Sequence, residues 1–501
     1  MTNKIIFEDE ICLWWDRLTQ LPEKGKYAVF LDDVLQGTTP TTHFEMYNVL
    51  PKTSYLVRLE MWDEADNSLC VLEETTVVTP EKKEKLDVTK APYFAKGDGV
   101  TMNTSALQKA FDDCRENQAV YFPAGVFLTG SLRLHSDMEL YLDEGATLQG
   151  SEKVEDYLPK IKSRFEGTEM MCYSSLLNMG EMDNNAGYNC KNVILRGKGT
   201  ICGGGKALLQ NTVDVEFALR EEELAPLKGT MDEFIRTNVL PGRARGRLVN
   251  VSNSENVIMS GLTFKNGPAW NVHMIYSNQI VTKNCKFFSH GVHNGDGWDP
   301  DSSTNCTLFG IYFCTGDDCV AIKSGKNPEG NIINKPCENI RVFDCYAENG
   351  HSCSIGSEMS GGVNNVWFWD CDFRNTCFGI QVKGTKKRGA YVTNLEVYNC
   401  ISPRILVWAV GYNDDGDSAG CPPIFKNYRF EKLTLTCKIV IKCDEPPVCP
   451  AIDLIGFDEN EYAISNVYFK DITIQRQEVQ PTQMIDIKYV KNVTFENITC
   501  D

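Results

Sequence analysis

Two runs in the second half of the chain place acidic groups where they could handle protons. Asn294-Gly295-Asp296-Gly297-Trp298-Asp299 is followed, 21 residues after Asp296, by Gly316-Asp317-Asp318-Cys319, and then by Gly350-His351-Ser352. A lone Asp means little in a chain with 68 acidic residues. Three carboxylates and an imidazole brought to one place mean more. Crowded carboxylates do not all ionise, so one tends to keep a proton near neutral pH. Hydrolysis of a glycosidic bond uses such a set, with a protonated acid for the leaving oxygen and ionised partners to activate water. Taken singly, Asp317-Asp318 also reads as a solvated turn or a calcium site, and His351 as a hydrogen-bonded turn residue.

Whether these groups meet depends on the elements that carry them. An apolar or Cys residue recurs with a partner five positions on: Val257/Leu262, Ile280/Cys285, Cys306/Ile311, Ile340/Cys345, Val366/Cys371, Leu395/Cys400, Phe430/Leu435, Val467/Ile472 and Val493/Ile498. The intervals run from 23 to 37 residues, and Asn precedes most pairs (Asn256, Asn305, Asn339, Asn365, Asn394, Asn466, Asn492). A fixed short core with variable spacing predicts a coil of parallel strands whose turns differ in length and whose inner faces are buried only by stacking. In that frame Asp317 is Cys306+11 and His351 is Ile340+11, the same corner of successive turns, with Asp296 about one turn earlier. Cys285, Cys345, Cys371 and Cys400 share one phase and read as a buried ladder of small thiols rather than a metal or redox site. The repeated Asn reads as a turn-stabilising ladder.

The rest of the chain reads as support. Residues 1–80 show short alternating runs, Ile11–Trp15, Tyr27–Leu31 and Tyr55–Leu59, separated by turn residues. Leu50-Pro51-Lys52-Thr53-Ser54-Tyr55 suggests a tyrosine corner, and with Trp15 as core aromatic the segment resembles a fibronectin type III domain. Residues 81–90 form a charged linker, and a second unit spans 91–501. Thr104 to Gln118 carries Leu107, Ala110, Phe111 and Cys114 on one helical stripe, with Thr104 or Ser105 as N-cap, and would cap the open end of the coil. Residues 206 to about 247 interrupt the repeat, with helical character from Asp214 to Asn238 that suits a lid or a surface insertion.

Composition narrows the function classes. The chain has 501 residues, 42% hydrophobic and 24% charged, an ordinary globular balance. Its net charge of −18 argues against nucleic-acid binding but leaves room for an anionic small substrate at a local basic cluster. No run is long and apolar enough to suggest a membrane span. The start, MTNKIIFEDEICLWWDRL, has no basic stretch followed by an apolar one, so no secretory signal is expected. The 21 cysteines are an odd number without a C-x-x-C pair, which predicts reduced thiols in a cytoplasmic protein and no structural zinc. No metal or cofactor is expected, and the oligomeric state is left open.

From about Ala91 onward the chain resembles glycoside hydrolase family 28, the polygalacturonases. The resemblance rests on Ala95-Lys96-Gly97-Asp98-Gly99, Phe122-Pro123-Ala124-Gly125 with Leu128-Thr129-Gly130, Asn266 to His273, and the three site motifs above. It implies an all-β fold, a right-handed parallel β-helix of the pectate-lyase-like solenoid type, behind the small fibronectin III-like β-sandwich. It implies that Asp317 is the general acid, that Asp296 and Asp318 hold and activate the water, that His351 tunes the acid, and that the anomeric centre is inverted. Asn294 falls within the first motif as a substrate-binding position. The family's Arg-x-Lys grip for a sugar carboxylate reads Gln381-Val382-Lys383 here, so the guanidinium is absent. Lys383 keeps a positive charge, Lys323 shares its phase, and Lys386, Lys387 and Arg388 are candidate compensators or an ordinary basic turn. Ser352 stands where the family's Gly-His-Gly has its second Gly. The N-terminal module and the run Asp299 to Ser303 look like bacterial exo-acting members. The expected partner is therefore a pectic oligosaccharide, with exo-hydrolysis of oligogalacturonides as the expected activity. A rhamnogalacturonan or xylogalacturonan fragment, a noncatalytic carbohydrate-binding β-helix and a calcium-dependent lyase on the same fold are the alternatives.

Overall fold

The computed structural model describes residues 2–18, 21–225, 242–411, 416–439, 448–479 and 481–501. The chain divides into two compact units, 1–85 with 116–119, and 86–115 with 120–501.

The first unit is built on two antiparallel sheets. One holds Asn3–Ile6, Glu10–Trp14 and His43–Tyr47, and the other holds Lys26–Leu31, Val34–Thr39, Ser54–Trp62 and Ser68–Val78. Alternation puts Ile11, Leu13, Tyr27, Val29, Val57 and Leu59 inside, around Trp15, whose ring meets Tyr27 edge-on at 5.0 Å. The Tyr55 hydroxyl accepts the Leu50 N–H at 2.8 Å, the tie expected of a tyrosine corner.

The second unit is a parallel β-helix whose strands pair across successive coils. Val257 faces Ile280, Ile311 faces Cys345, Ile340 faces Val366, and Val366 faces Leu395. One expected register is wrong. Leu395 faces Tyr428, not Phe430, and Tyr428 faces Val467, so that coil's pair is Tyr428/Leu433, preceded by Asn427. Two aromatic residues two apart on one strand both point inward, and the apolar pattern alone could not choose between them.

The Asn ladder is continuous from Asn305 to Asn492, while Asn256 bonds to Asn192 instead. Nδ2 of Asn339 donates to Asn305 Oδ1, Asn365 to Asn339, Asn394 to Asn365, Asn427 to Asn394, Asn466 to Asn427 and Asn492 to Asn466, all at 3.0–3.2 Å. Each of these residues has φ between 53° and 64°, the left-handed region that Asn tolerates because its short amide bonds locally. Cys285, Cys345, Cys371 and Cys400 are all buried and unpaired. Burial raises each thiol above its ordinary value, to about 12 for Cys285. The expectation of wholly reduced thiols needs one correction, because Cys377 is disulfide-bonded.

The early helix runs Thr104–Asp113, shorter than expected, and buries Leu107, Ala110 and Phe111 against the first coils. Its N-cap is Asn103, not Thr104 or Ser105, and the Asn103 amide is spent on Lys96, Thr101 and Leu128 instead of a cap. The interruption of the repeat starts with a helix at Gly205–Leu219 and a single turn at Glu221–Leu224. The remainder of the expected helix, 226–238, lies outside the described residues. An antiparallel hairpin, Ile161–Phe165 with Thr168–Cys172, was not anticipated. No described helix is long and apolar enough to cross a membrane.

Candidate active site

The site is carried by one sheet of the coil, where strands Val272–Ile275, Trp298–Asp301, Val320–Ile322, Cys337–Ile355, Thr376–Gly384 and Ile405–Ala409 pair in turn. The turns entering these strands deliver the acids. Gly297 N–H donates to the Asp318 carbonyl at 2.9 Å, and His351 N–H donates to the Asp317 carbonyl at 2.9 Å, so the three motifs sit on adjacent coils. One oxygen from each of Asp296, Asp317 and Asp318 lies within 4.8 Å of the others.

Each carboxylate receives its counter-charge from a later coil. Lys323 Nζ lies 3.2 Å from Asp296 Oδ2 and 2.5 Å from Asp299 Oδ1, and sits over the Trp270 ring at 4.4 Å. Lys383 Nζ is 3.4 Å from Asp318 Oδ2. His351 Nδ1 is 3.1 Å from Asp317 Oδ1. Burial opposes charge on His351, but the Asp317 carboxylate outweighs it and raises the imidazole above its ordinary value. Burial likewise pushes Asp317 up, yet His351 holds it well below the usual carboxylate range. Asp296 goes the other way. Burial and the neighbouring Asp299 carboxylate push it well above the carboxylate range, against Lys323. Burial also lifts Asp299, to about 6, with Lys323 opposing. The buried side of the site thus holds carboxyls whose charge burial opposes, and the more exposed side holds an Asp–His ion pair. The three-acid spacing would also admit a divalent cation, but Lys323 and Lys383 already balance Asp296 and Asp318.

Exposure grades across the site. The side chains of His351, Asp317 and Lys383 are 39%, 24% and 15% exposed, whereas Asp296, Lys323 and Asp299 are 6%, 5% and 0% exposed. The hairpin packs beside the buried residues. Arg164 is fully buried and donates to Asp301 Oδ1 at 2.7 Å, and Phe165 stacks on Trp270 at 5.0 Å. At the hairpin tip the Gly167 carbonyl accepts the Lys326 N–H at 2.9 Å. Behind it, Arg247 lies over both Phe165 and Trp270 at 4.3 and 4.6 Å.

The other expected binding residues divide. Asn294, left-handed at φ 53°, accepts from Arg245 Nη2 at 2.7 Å beside the cluster. Gln381 is buried, with Oε1 facing Ser354 Oγ at 3.1 Å and Ser352 Oγ at 3.3 Å. Arg388 is corrected as a compensating cation, because it is buried and donates to Ser357 O at 2.7 Å and to Asn327 Oδ1. Lys386 is corrected too. Its ammonium is held at the surface by Asp458 at 2.5 Å and Glu459 at 3.4 Å, and those partners lie outside the carboxylate cluster. Lys387 shows its backbone bonded to Thr385 Oγ1 and to the Ala419 N–H.

Several participants carry no role in the sequence reading. Asp299, Ser352 and Ser354 could have been found by extending the coil phase, since His273 faces Asp299 and Ser354 faces Gln381. Arg164, Arg245 and Arg247 lie where the repeat is broken, and nothing in the local pattern points to them.

The model of the family described as glycosyl hydrolases family 28 matches residues 117–402. An exo-poly-alpha-D-galacturonosidase from Dickeya chrysanthemi is 28% identical over 450 residues, 84% of this chain and 73% of that protein. An endo-polygalacturonase from Pectobacterium carotovorum subsp. carotovorum is 28% identical over 394 residues, 74% of this chain and 87% of that protein. The fold is that of a Yersinia enterocolitica family 28 exopolygalacturonase, with a TM-score of 0.82 and 22% identity over 99% of this chain and 96% of that one. An exopolygalacturonase from Thermotoga maritima gives a TM-score of 0.67 at 23% identity, over 83% of this chain and 92% of that one.

Proposed function

The chain belongs to glycosyl hydrolase family 28, the polygalacturonases, and on that premise we propose that it removes galacturonosyl units from one end of short galacturonan chains by single-step, inverting hydrolysis of α-1,4 linkages. The observation that carries the end preference is the hairpin Ile161–Cys172, which packs Arg164 on Asp301 and Phe165 on Trp270 beside the acids. A groove open at both ends suits internal cleavage, and a site closed behind its acids suits a chain terminus. The Dickeya relative's exo activity points the same way. An anionic sugar is favoured by Lys383, whose ammonium stays partly exposed beside Asp318 in a chain of net charge −18.

Asp317 is the proton donor in this reading. In water the Asp317–His351 pair carries its proton on the ring. A bound sugar excludes water, a desolvated ion pair is costly, and the proton moves back to Asp317 beside the leaving oxygen. Asp318 and Asp296 order the attacking water from below. Inverting enzymes generally separate their two carboxyl groups by about 6.5–9.5 Å and retaining ones by about 5–5.5 Å.

A second assignment has its own support, because burial and the Asp299 carboxylate push Asp296 well above the carboxylate range. It makes Asp296 the donor and Asp317 with Asp318 the water-activating pair. An aryl α-galacturonide with an acidic leaving group separates the two, since it needs no acid. Asp317→Asn is expected to lose at least ~10³-fold in kcat on trigalacturonate and to recover most of its rate on the aryl substrate. Recovery by Asp296→Asn instead overturns the assignment. Proton NMR of the first product is expected to show the β anomer, and the α anomer first refutes inversion.

A further inference from the structure

Two positions where this chain departs from its family's motifs, Ser352 and Gln381, touch one another. Ser352 Oγ donates to Asp318 Oδ1 and lies 2.6 Å from Ser354 Oγ. Ser354 Oγ lies 3.1 Å from the carboxamide of Gln381, and Ser352 Oγ lies 3.3 Å from it. Ser352, Ser354 and Gln381 are all buried. Three short contacts in series, Asp318–Ser352, Ser352–Ser354 and Ser354–Gln381, each need one proton.

Two hydroxyls supply only two protons. If Asp318 is ionised, Ser352 must give its proton to Asp318. Ser354 must then give its own to Ser352. The third proton has to come from Gln381. A carboxamide has the same shape after a half-turn about its last bond, which puts Nε2 where Oε1 stands and supplies the missing donor. Every contact is then filled, and every donor points toward the carboxylate. A glycine at 352 would leave the chain without its last member. An arginine at 381 could donate as well, but would add a buried charge beside Lys383, which already holds Asp318 Oδ2 at 3.4 Å.

We propose that Gln381, Ser354 and Ser352 form a one-way hydrogen-bond chain that ends on Asp318 and positions that carboxylate for activating water. The three are positioning residues and do not touch the sugar. Lys383 fixes the other oxygen of Asp318, so the carboxylate is held at both ends by the two following coils. The inference rests on the reading of Asp318 as a water-activating group. The ionisable groups facing Asp318 include Asp296, Asp299, Asp317, His351, Lys383 and the thiols of Cys319 and Cys353, none of which the variants below remove.

The test uses the full chain on trigalacturonate, with kcat and KM measured across pH. Ser352→Ala is expected to lower kcat by ~10-fold or more, the loss of one bond to a charged group, with KM within about twofold of the parent. Ser352→Thr, which keeps the hydroxyl, restores most of the rate. Gln381→Leu lowers kcat in the same sense, and combining it with Ser352→Ala adds little, since the chain is already broken. A Ser352→Ala enzyme with parental kcat, a loss confined to KM, or full additivity in the double variant overturns the proposal. Asp318→Asn is the control. If it is inactive while Ser352→Ala is unaffected, the chain alone fails. If it keeps parental activity, the reading of the whole site fails.

Discussion

Replacing Lys323 with methionine should cost stability in a way that grows with pH. The ammonium lies 2.5 Å from Asp299 and 3.2 Å from Asp296, and Asp299 is wholly buried. Burial lifts Asp299 to about 6 even with Lys323 opposing. A carboxyl raised in the folded state holds a proton that the unfolded chain releases, so stability falls as pH rises from the ordinary value, 3.8, to about 6, and is level above that. Without Lys323, burial, the largest influence, is opposed only by the weaker hydrogen bond with Asp296, so Asp299 rises further and keeps its proton at pH 7. The variant then forfeits the ionisation free energy of the native carboxylate, ~1.4 kcal/mol at pH 7, ~0.4 kcal/mol at pH 6 and under ~0.1 kcal/mol at pH 5. Loss of the contact with Trp270 at 4.4 Å adds ~0.5–2 kcal/mol at every pH. Urea unfolding followed by tryptophan fluorescence at pH 5, 6 and 7 measures the difference between variant and parent. A deficit equal at pH 5 and pH 7, or larger at pH 5, refutes the reasoning.

Two further outcomes follow from the same geometry. His351→Gln removes the cation that holds Asp317 low. The pair's contribution is intact below the ordinary histidine range and is lost as pH rises through the raised His351 value, so the parent's alkaline limb lies above that range and the variant lacks it. Its kcat is expected to fall ~10²-fold or more, and an unchanged alkaline limb contradicts the pairing. Asn365→Ala loses the bonds to Asn339 and Asn394 and puts a β-carbon without a compensating amide at φ 55°. It should cost about 2 kcal/mol in urea unfolding, and Asn365→Gly about half that, because glycine keeps the backbone angle. Equal losses for the two would show that the left-handed angle is not what Asn365 provides.

What could be read in advance was whatever the coil repeats. Asp317 and His351 each stand 11 residues past a core position, and they are hydrogen-bonded neighbours. Lys323 and Lys383 share a phase, and each neutralises an acid from an earlier coil. Where the apolar period is ambiguous, the register is not legible in the sequence. Tyr428 and Phe430 are both inward-facing aromatics, and choosing Phe430 also hid Asn427 from the ladder. Lys386 and Arg388 were grouped with Lys383 by nearness in sequence, but Lys386 is taken by Asp458 and Arg388 by Ser357. The wall at Arg164 and Phe165 comes from a hairpin outside the repeat, whose pairing is local and whose target, Asp301, is 137 residues away. No periodic signal encodes a contact of that kind.

The Asn column has a bearing on how this scaffold tolerates change. Coils joined by the column differ from 26 residues, Asn339 to Asn365, to 39, Asn427 to Asn466. Yet the amides stay in step, because each Asn is indexed to the one before it and not to the length of chain between them. Added or deleted residues are absorbed at the bends, leaving the alignment of neighbouring strands unslipped. Segments such as Ile161–Cys172 can therefore be lengthened, trimmed or exchanged to reshape the walls of the groove while the acids beneath keep their spacing.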